Sequence, residues 1–330
     1  MNASIKPASP RSRLSLEGGA ILTLLRRHTT LALILLLIAF VASVEAARPG
    51  TVTPIWISNT LLFAAPLGIM AAGQTLVVLT GGIDLSVASV ATGAGYLLAT
   101  NASQGNLAAT TIGLSLGLVV GFLNGVGIAV LGVQPLVMTL GTGLMTGGVM
   151  IVYSQNMMAS GPHVPAFIQS LGAGKIGGLV PIDLSLWVPI AALMLFGLQR
   201  FGFGRLLYAI GDNREACKLA GIRVWRVLLV DYVLCGLFAA LAGLILVGIT
   251  NASDQSLADP YLLPSIAAVI IGGTSIFGGR GGYAGTIVGA LILTVLTSLL
   301  TLMDAPEPIK QILYGAIILV LAAAYARLIE

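Results

Sequence analysis

Charge is what this chain has least of. Only 8% of its 330 residues are Asp, Glu, Lys or Arg, while 57% are hydrophobic. Soluble globular domains carry about 25% charged residues, so a water-facing surface over most of the chain is hard to build, and an ordinary soluble domain is excluded. Cysteine and histidine are nearly absent as well. Cys217, Cys235, His28 and His163 are isolated from one another in sequence. That leaves neither a disulfide framework nor a thiol or imidazole metal centre. The formal charge of +4 does not indicate nucleic acid, because the basic residues are spread over short junctions between apolar segments.

What the chain has instead is apolar runs of the length a hydrocarbon core requires, roughly 20 residues each. The predicted fold class is an all-α polytopic membrane protein of about ten transmembrane helices. After a polar tail over 1–27, the spans are predicted at 29–43, 58–79, 87–103, 106–130, 134–153, 181–199, 226–249, 264–279, 283–303 and 308–327. The span at 87–103 is the weakest by composition, being short and rich in Gly, Ala and Ser. The first run has a basic flank like a signal peptide, but the equally apolar chain downstream favours an uncleaved span.

Basic residues test the parity. With the N-terminus cytoplasmic, thirteen fall inside: five in the tail, six from Arg200 to Arg226, Arg280 and Arg327. Three, Arg48, Lys175 and Lys310, fall outside. That bias predicts an N-in, C-in arrangement. The two long connections are then an external one at 154–180 and a highly charged internal one at 200–225.

Glycine carries the packing signal. Gly113, Gly117, Gly121 and Gly125 recur every four residues, as do Gly281, Gly285 and Gly289. This spacing puts them on one helix face, where two backbones can approach closely. Packing alone explains such faces, and sliding between transport states is the alternative. Gly81-Gly82-Ile83-Asp84-Leu85-Ser86 interrupts two apolar segments. Its glycines can release one helix, and Asp84 or Ser86 can cap the next. Asp84 has three readings: capping or fold stabilisation, coupling or gating, and direct substrate contact. Asn124, between glycines, can hydrogen-bond across helices in a structural or a pathway role.

In the internal loop, Asp212 or Asn213 can cap a short helix with Glu215 in its first turn and Gly221 at its end. Ala216, Leu219 and Ala220 give that helix a small apolar face flanked by Arg214 and Lys218. Docking to a cytoplasmic partner and anchoring to anionic lipid both fit. The stretch 272–282, with Gly272, Gly273 and Arg280, is rich enough in glycine to suggest a phosphate loop. It lacks the Gly-Lys-Ser/Thr ending, which occurs nowhere in the chain, so ATP hydrolysis by this chain alone is not expected. A turn between two spans fits better, with Arg280 at the inner interface.

Five ordered motifs carry a family resemblance across about 50–325: GGIDLSVAS at 81–89, GFLNG at 121–125, QPLVMTLGT at 134–142, FGRLLYAIGDNREACKLAGI at 203–222 and IAAVIIGGTSIFGGRGG at 266–282. The chain resembles the membrane permease of bacterial ABC importers for sugars, the ribose-type branch of the branched-chain amino acid and sugar permease family. The resemblance implies an inner-membrane importer with two permease subunits, two cytoplasmic ATPase subunits that use ATP and Mg2+, and a periplasmic sugar-binding protein. No cofactor is implied for this chain. By the same resemblance Asp212, Asn213, Glu215, Ala216 and Gly221 fall in the coupling segment. Asp84 matches the aspartate of the signature formed with Gly81, Gly82 and Ser86. Many ribose-type members have Tyr-Glu-Leu-Asp before Ile-Ala-Ala; here Leu262 and Pro264 occupy the two acidic positions, which argues against a close ribose assignment. A secondary transporter or a membrane scaffold are the competing functions. A secondary transporter favours carboxylates within spans, and only Asp231 fits that description.

Overall fold

The computed structural model describes residues 29–157 and 163–329. The tail over 1–27, His28 and Pro162 lie outside the described residues. Thirteen α-helices are described in chain order: α1 (Thr29–Ala47), α2 (Pro54–Leu79), α3 (Val87–Thr100), α4 (Asn106–Ala129), α5 (Pro135–Met157), α6 (Ala166–Ala173), α7 (Leu184–Arg200), α8 (Gly202–Asp212), α9 (Arg214–Leu219), α10 (Val224–Thr250), α11 (Asp259–Ile271), α12 (Tyr283–Leu302) and α13 (Glu307–Ile329). A two-residue antiparallel hairpin, β1 (Lys175–Ile176) with β2 (Val180–Pro181), follows α6.

By length and composition, six of these helices can cross a membrane: α1, α2, α4, α5, α10 and α12. A seventh crossing is added if α7 and α8, which meet at a 69° bend, count as one span. The protein is thus a multi-pass, all-α membrane protein. Helices α3 and α11 are apolar but shorter. Every predicted span coincides with a helix, and two boundaries need correction. The span predicted at 264–279 is α11, which starts five residues earlier, behind Pro260 at its first turn, and ends before Gly272. Residues 272–282 are therefore a loop, and Gly281 is part of it rather than of a helix face.

The long central helix α10 packs against α2, α3, α4 and α6. Its contact with α4 explains the four-residue glycine run. Gly117 faces the Gly236 carbonyl, Gly121 the backbone at Tyr232, and Gly125 that at Leu229. A methyl group at Gly117 would collide with the Gly236 carbonyl oxygen, so glycine sets the distance between these helices. The run is packing. Helix α3 looked weak for a related reason. Most of its residues are buried, and a helix surrounded by other helices can use small residues where a lipid-facing one needs large apolar ones. Large apolar residues are exposed instead on α4 and α5, at Leu123, Val137, Leu144 and Val149.

Candidate functional site at one end of the bundle

Three segments separated by some 200 residues of sequence meet where α2 ends. The Leu79 carbonyl accepts the Gly279 N–H at 3.0 Å. Gly211, near the end of α8, is wedged against both partners. The Tyr208 hydroxyl, one turn earlier on α8, donates to the Gly281 carbonyl at 2.9 Å. The GGIDLS junction, the charged loop and the 272–282 loop thus form one structure.

The junction itself is held from inside. Asp84 is buried, and its Oδ1 accepts both the Ser86 N–H at 2.8 Å and the Ser86 hydroxyl at 2.6 Å. This replaces the expected cap: Ser86 occupies the N-cap position of α3, but its side chain makes no capping bond. It is instead a link in a relay. Asn124 Nδ2 donates to Ser86 Oγ at 3.0 Å, and Thr142 Oγ1 donates to Asn124 Oδ1 at 2.6 Å. Asn124 therefore ties α4 to the junction and to α5, as a cross-helix amide should.

Sequence reasoning missed two supports. Gln74, fully buried on α2, donates to the Asp84 carbonyl and accepts the Asp84 N–H. Thr139 on α5 bonds the Ile83 carbonyl at 3.2 Å and the Leu85 N–H at 3.1 Å. A lone glutamine in the middle of an apolar span was the available signal for the first, since a polar group there needs a partner. Asp231 of α10 lies beside the same junction and accepts from Thr80 Oγ1 at 3.1 Å. Among the described residues, Asp84 Oδ2, Asp231 Oδ1 and the Tyr232 hydroxyl are buried without a hydrogen-bond partner.

At the surface of this end stands α9. Asn213 caps it, accepting the Ala216 N–H at 2.9 Å, and Glu215 in its first turn pairs with Lys218 at 2.7 Å. The Lys218 ammonium holds the exposed Glu215 carboxyl below its ordinary range. Gly221 follows the helix at φ +79°, a left-handed conformation that glycine adopts without penalty. Asp212 is exposed beside the cap without bonding α9. Ala216, Leu219 and Ala220 are all exposed, Leu219 to 90%, so the small apolar face is real and uncovered in the monomer. Gly82 packs under the Tyr232 hydroxyl, and Gly272 against the backbone at Gly285. Gly81 and Gly273 turn the chain at positive φ, and Arg280 is exposed.

Comparison with known proteins gives a consistent picture. Residues 56–322 match the family described as branched-chain amino acid transport system / permease component. The chain is 34% identical to the ribose import permease protein of Escherichia coli (strain K12), over 86% of this chain and 89% of that one. It is 35% identical to the fructose import permease protein of Rhizobium meliloti, over 78% and 74%. It is 32% identical to the autoinducer 2 import system permease protein of Escherichia coli O9:H4 (strain HS), over 84% and 80%. No solved structure matches it.

Proposed function

The chain belongs to the family of branched-chain amino acid transport system permease components, and we propose that it is the membrane-spanning subunit of an ATP-driven importer for a sugar or related small polyol. The observation that carries this reading is the meeting of Leu79, Gly211 and Gly279 at the end of α2, three residues before the uncovered helix α9. In this reading a displacement of α9 passes along α8 to the break between α2 and α3. In this reading the tail at 1–27 and the loop at 200–225 are cytoplasmic, and 28–330 is the permease domain. A separate ATPase docks on α9 around Asp212, Asn213, Glu215, Ala216 and Gly221. Two permease chains enclose the pathway, and a periplasmic binding protein delivers the solute across the bacterial inner membrane. ATP binding closes the ATPases and turns the pathway outward; hydrolysis resets it.

Ten crossings with both ends inside are part of the same proposal. Adding the bent pair, the two shorter apolar helices and α13 to the six long helices gives ten, and the basic residues divide thirteen to three across that topology. Near-equal identity to ribose, fructose and autoinducer 2 permeases favours no one solute. Leu262 is half-buried and Pro264 buried within α11, so these replacements have become part of the packing.

The test is reconstitution with a cognate ATPase and binding protein. ATP-dependent sugar uptake that requires both is the expected result. Uptake by this chain alone, driven by an ion gradient and indifferent to the ATPase, would overturn the proposal.

A further inference from the structure

At the opposite end of α2 from the coupling site, a cavity of about 510 Å³ opens between α2, α11, α12 and α13. Along α2 its wall runs from Trp56 to Leu67. At 1.5 Å per residue that is roughly 16 Å, about one leaflet of a hydrocarbon core some 30 Å thick.

The lining looks polar by residue name, with four threonines, but those hydroxyls are already engaged. Thr60, Thr294, Thr297 and Thr301 each donate to the carbonyl four residues earlier, at 2.7–2.9 Å. Trp56 Nε1 donates to Ser298 Oγ at 3.0 Å, and Thr297 also bonds the Tyr314 hydroxyl at 2.6 Å. A sugar needs both donors and acceptors to replace the water it sheds, and these threonines have already spent their protons. An acyl chain needs none.

The mouth has the opposite character. Asn59 on its rim accepts from Lys175 Nζ at 2.6 Å, and Glu307 pairs with Lys310 at 3.3 Å. Lys175 and Lys310 are two of only three basic residues assigned to this side of the membrane. Neither lines the cavity itself, but each holds a residue that does, and with Glu307 between them these three groups carry one positive charge in excess.

We propose that this cavity binds one acyl chain of an anionic glycerophospholipid, with the headgroup phosphate held at Lys175 and Lys310. The volume suits a single chain, the rest of the lipid staying in the bilayer. The site is separate from the coupling end, and its test reads lipid rather than transport.

Purified full-length protein in detergent is titrated with phosphatidylglycerol brominated on its acyl chains, which quenches tryptophan on contact. Saturable quenching is expected, with most of it lost in Trp56→Phe. The Lys175→Ala/Lys310→Ala variant should shift the midpoint about tenfold higher. Native mass spectrometry should show one phosphatidylglycerol retained per chain. The proposal is overturned by quenching that does not saturate, by equal quenching with brominated phosphatidylcholine, or by displacement of the lipid by ribose or fructose. If the lysine variant does not fold, the wild-type comparison of the two lipids still decides the question.

Discussion

Gly279 donates its backbone N–H to the Leu79 carbonyl at 3.0 Å, and a Cβ at Gly211 would collide with both groups. A hydrogen bond between the end of a buried helix and a loop 200 residues later fixes how α8 rides on α2. Any side chain at Gly211 would have to push that bond open. Gly211→Ala should therefore cost about 1–3 kcal/mol as overpacking, read as a lower thermal unfolding midpoint in detergent. Gly221→Ala is the control. It has φ +79° but nothing within 4 Å of an added Cβ, so it carries only the strain of the left-handed conformation, roughly 1–2 kcal/mol. It should leave the buried contact, and the protection of the Gly279 amide in hydrogen exchange, unchanged. Equal loss of that protection in both variants would remove the packing argument.

Asn124 joins three helices through two short bonds, to Ser86 and from Thr142. Asn124→Leu should destabilise by about 1–3 kcal/mol, since it removes two buried hydrogen bonds at once. Thr142→Val should cost less, because the amide keeps its bond to Ser86. A double-mutant cycle between Asn124→Leu and Thr142→Val should give a coupling energy of at least about 0.5 kcal/mol. Additive effects would mean that the Asn124–Thr142 bond contributes nothing to the native state.

The two buried carboxyls beside the junction differ in what they hold. Asp84 Oδ1 accepts two donors from Ser86, whereas Asp231 accepts only the Thr80 hydroxyl. Asp84→Asn keeps one amide oxygen, as Asp231→Asn does, but that oxygen has to serve two short bonds from Ser86 instead of one, so it should lower both folded yield and uptake. Asp231→Asn keeps an acceptor for Thr80 and removes a buried carboxyl whose other oxygen has no partner. Its unfolding midpoint should be unchanged or higher, because the oxygen that is replaced is buried without a hydrogen bond. A larger loss in Asp231→Asn than in Asp84→Asn would reverse this assignment.

Most of this architecture was legible in the chain before any coordinates. Apolar runs located all six helices long enough to span, because a hydrocarbon core demands length and hydrophobicity. The glycine period located the α4–α10 contact because close backbone approach needs missing side chains. Where the reading slipped, burial was the cause. In α11, the predicted start at 264 came too late, since Pro260 is tolerated in the first turn of the helix. Asp84 looked like a cap because its spacing allowed one, but the tertiary partners Gln74, Thr139 and Asn124 bind the junction more directly. The convergence of Leu79, Gly211 and Gly279 was invisible because backbone-to-backbone contacts leave no side-chain signature except glycine itself.

The exposed face of α9 gives the most direct test of docking. Leu219 is 90% exposed and supports no other part of the fold, so Leu219→Asp should leave the unfolding midpoint within about 0.5 kcal/mol of wild type. It should weaken association with the ATPase by at least about tenfold, the effect expected of a buried apolar anchor at an interface. Glu215 adds a pH criterion. Lys218 lowers its pKa in the folded protein below the ordinary 4.5. A carboxyl with a depressed folded pKa contributes fully above its unfolded value, and loses that contribution as pH falls through the lower folded value. Association that depends on the Glu215 charge should thus be flat from pH 8 to about 5 and fall only in stronger acid. Glu215→Gln should lower association across that whole plateau without changing its shape. Surface plasmon resonance of detergent-purified permease against the ATPase measures both effects. A Leu219→Asp variant that binds as tightly as wild type would leave α9 as an interfacial helix at the lipid surface, with the motor engaging elsewhere.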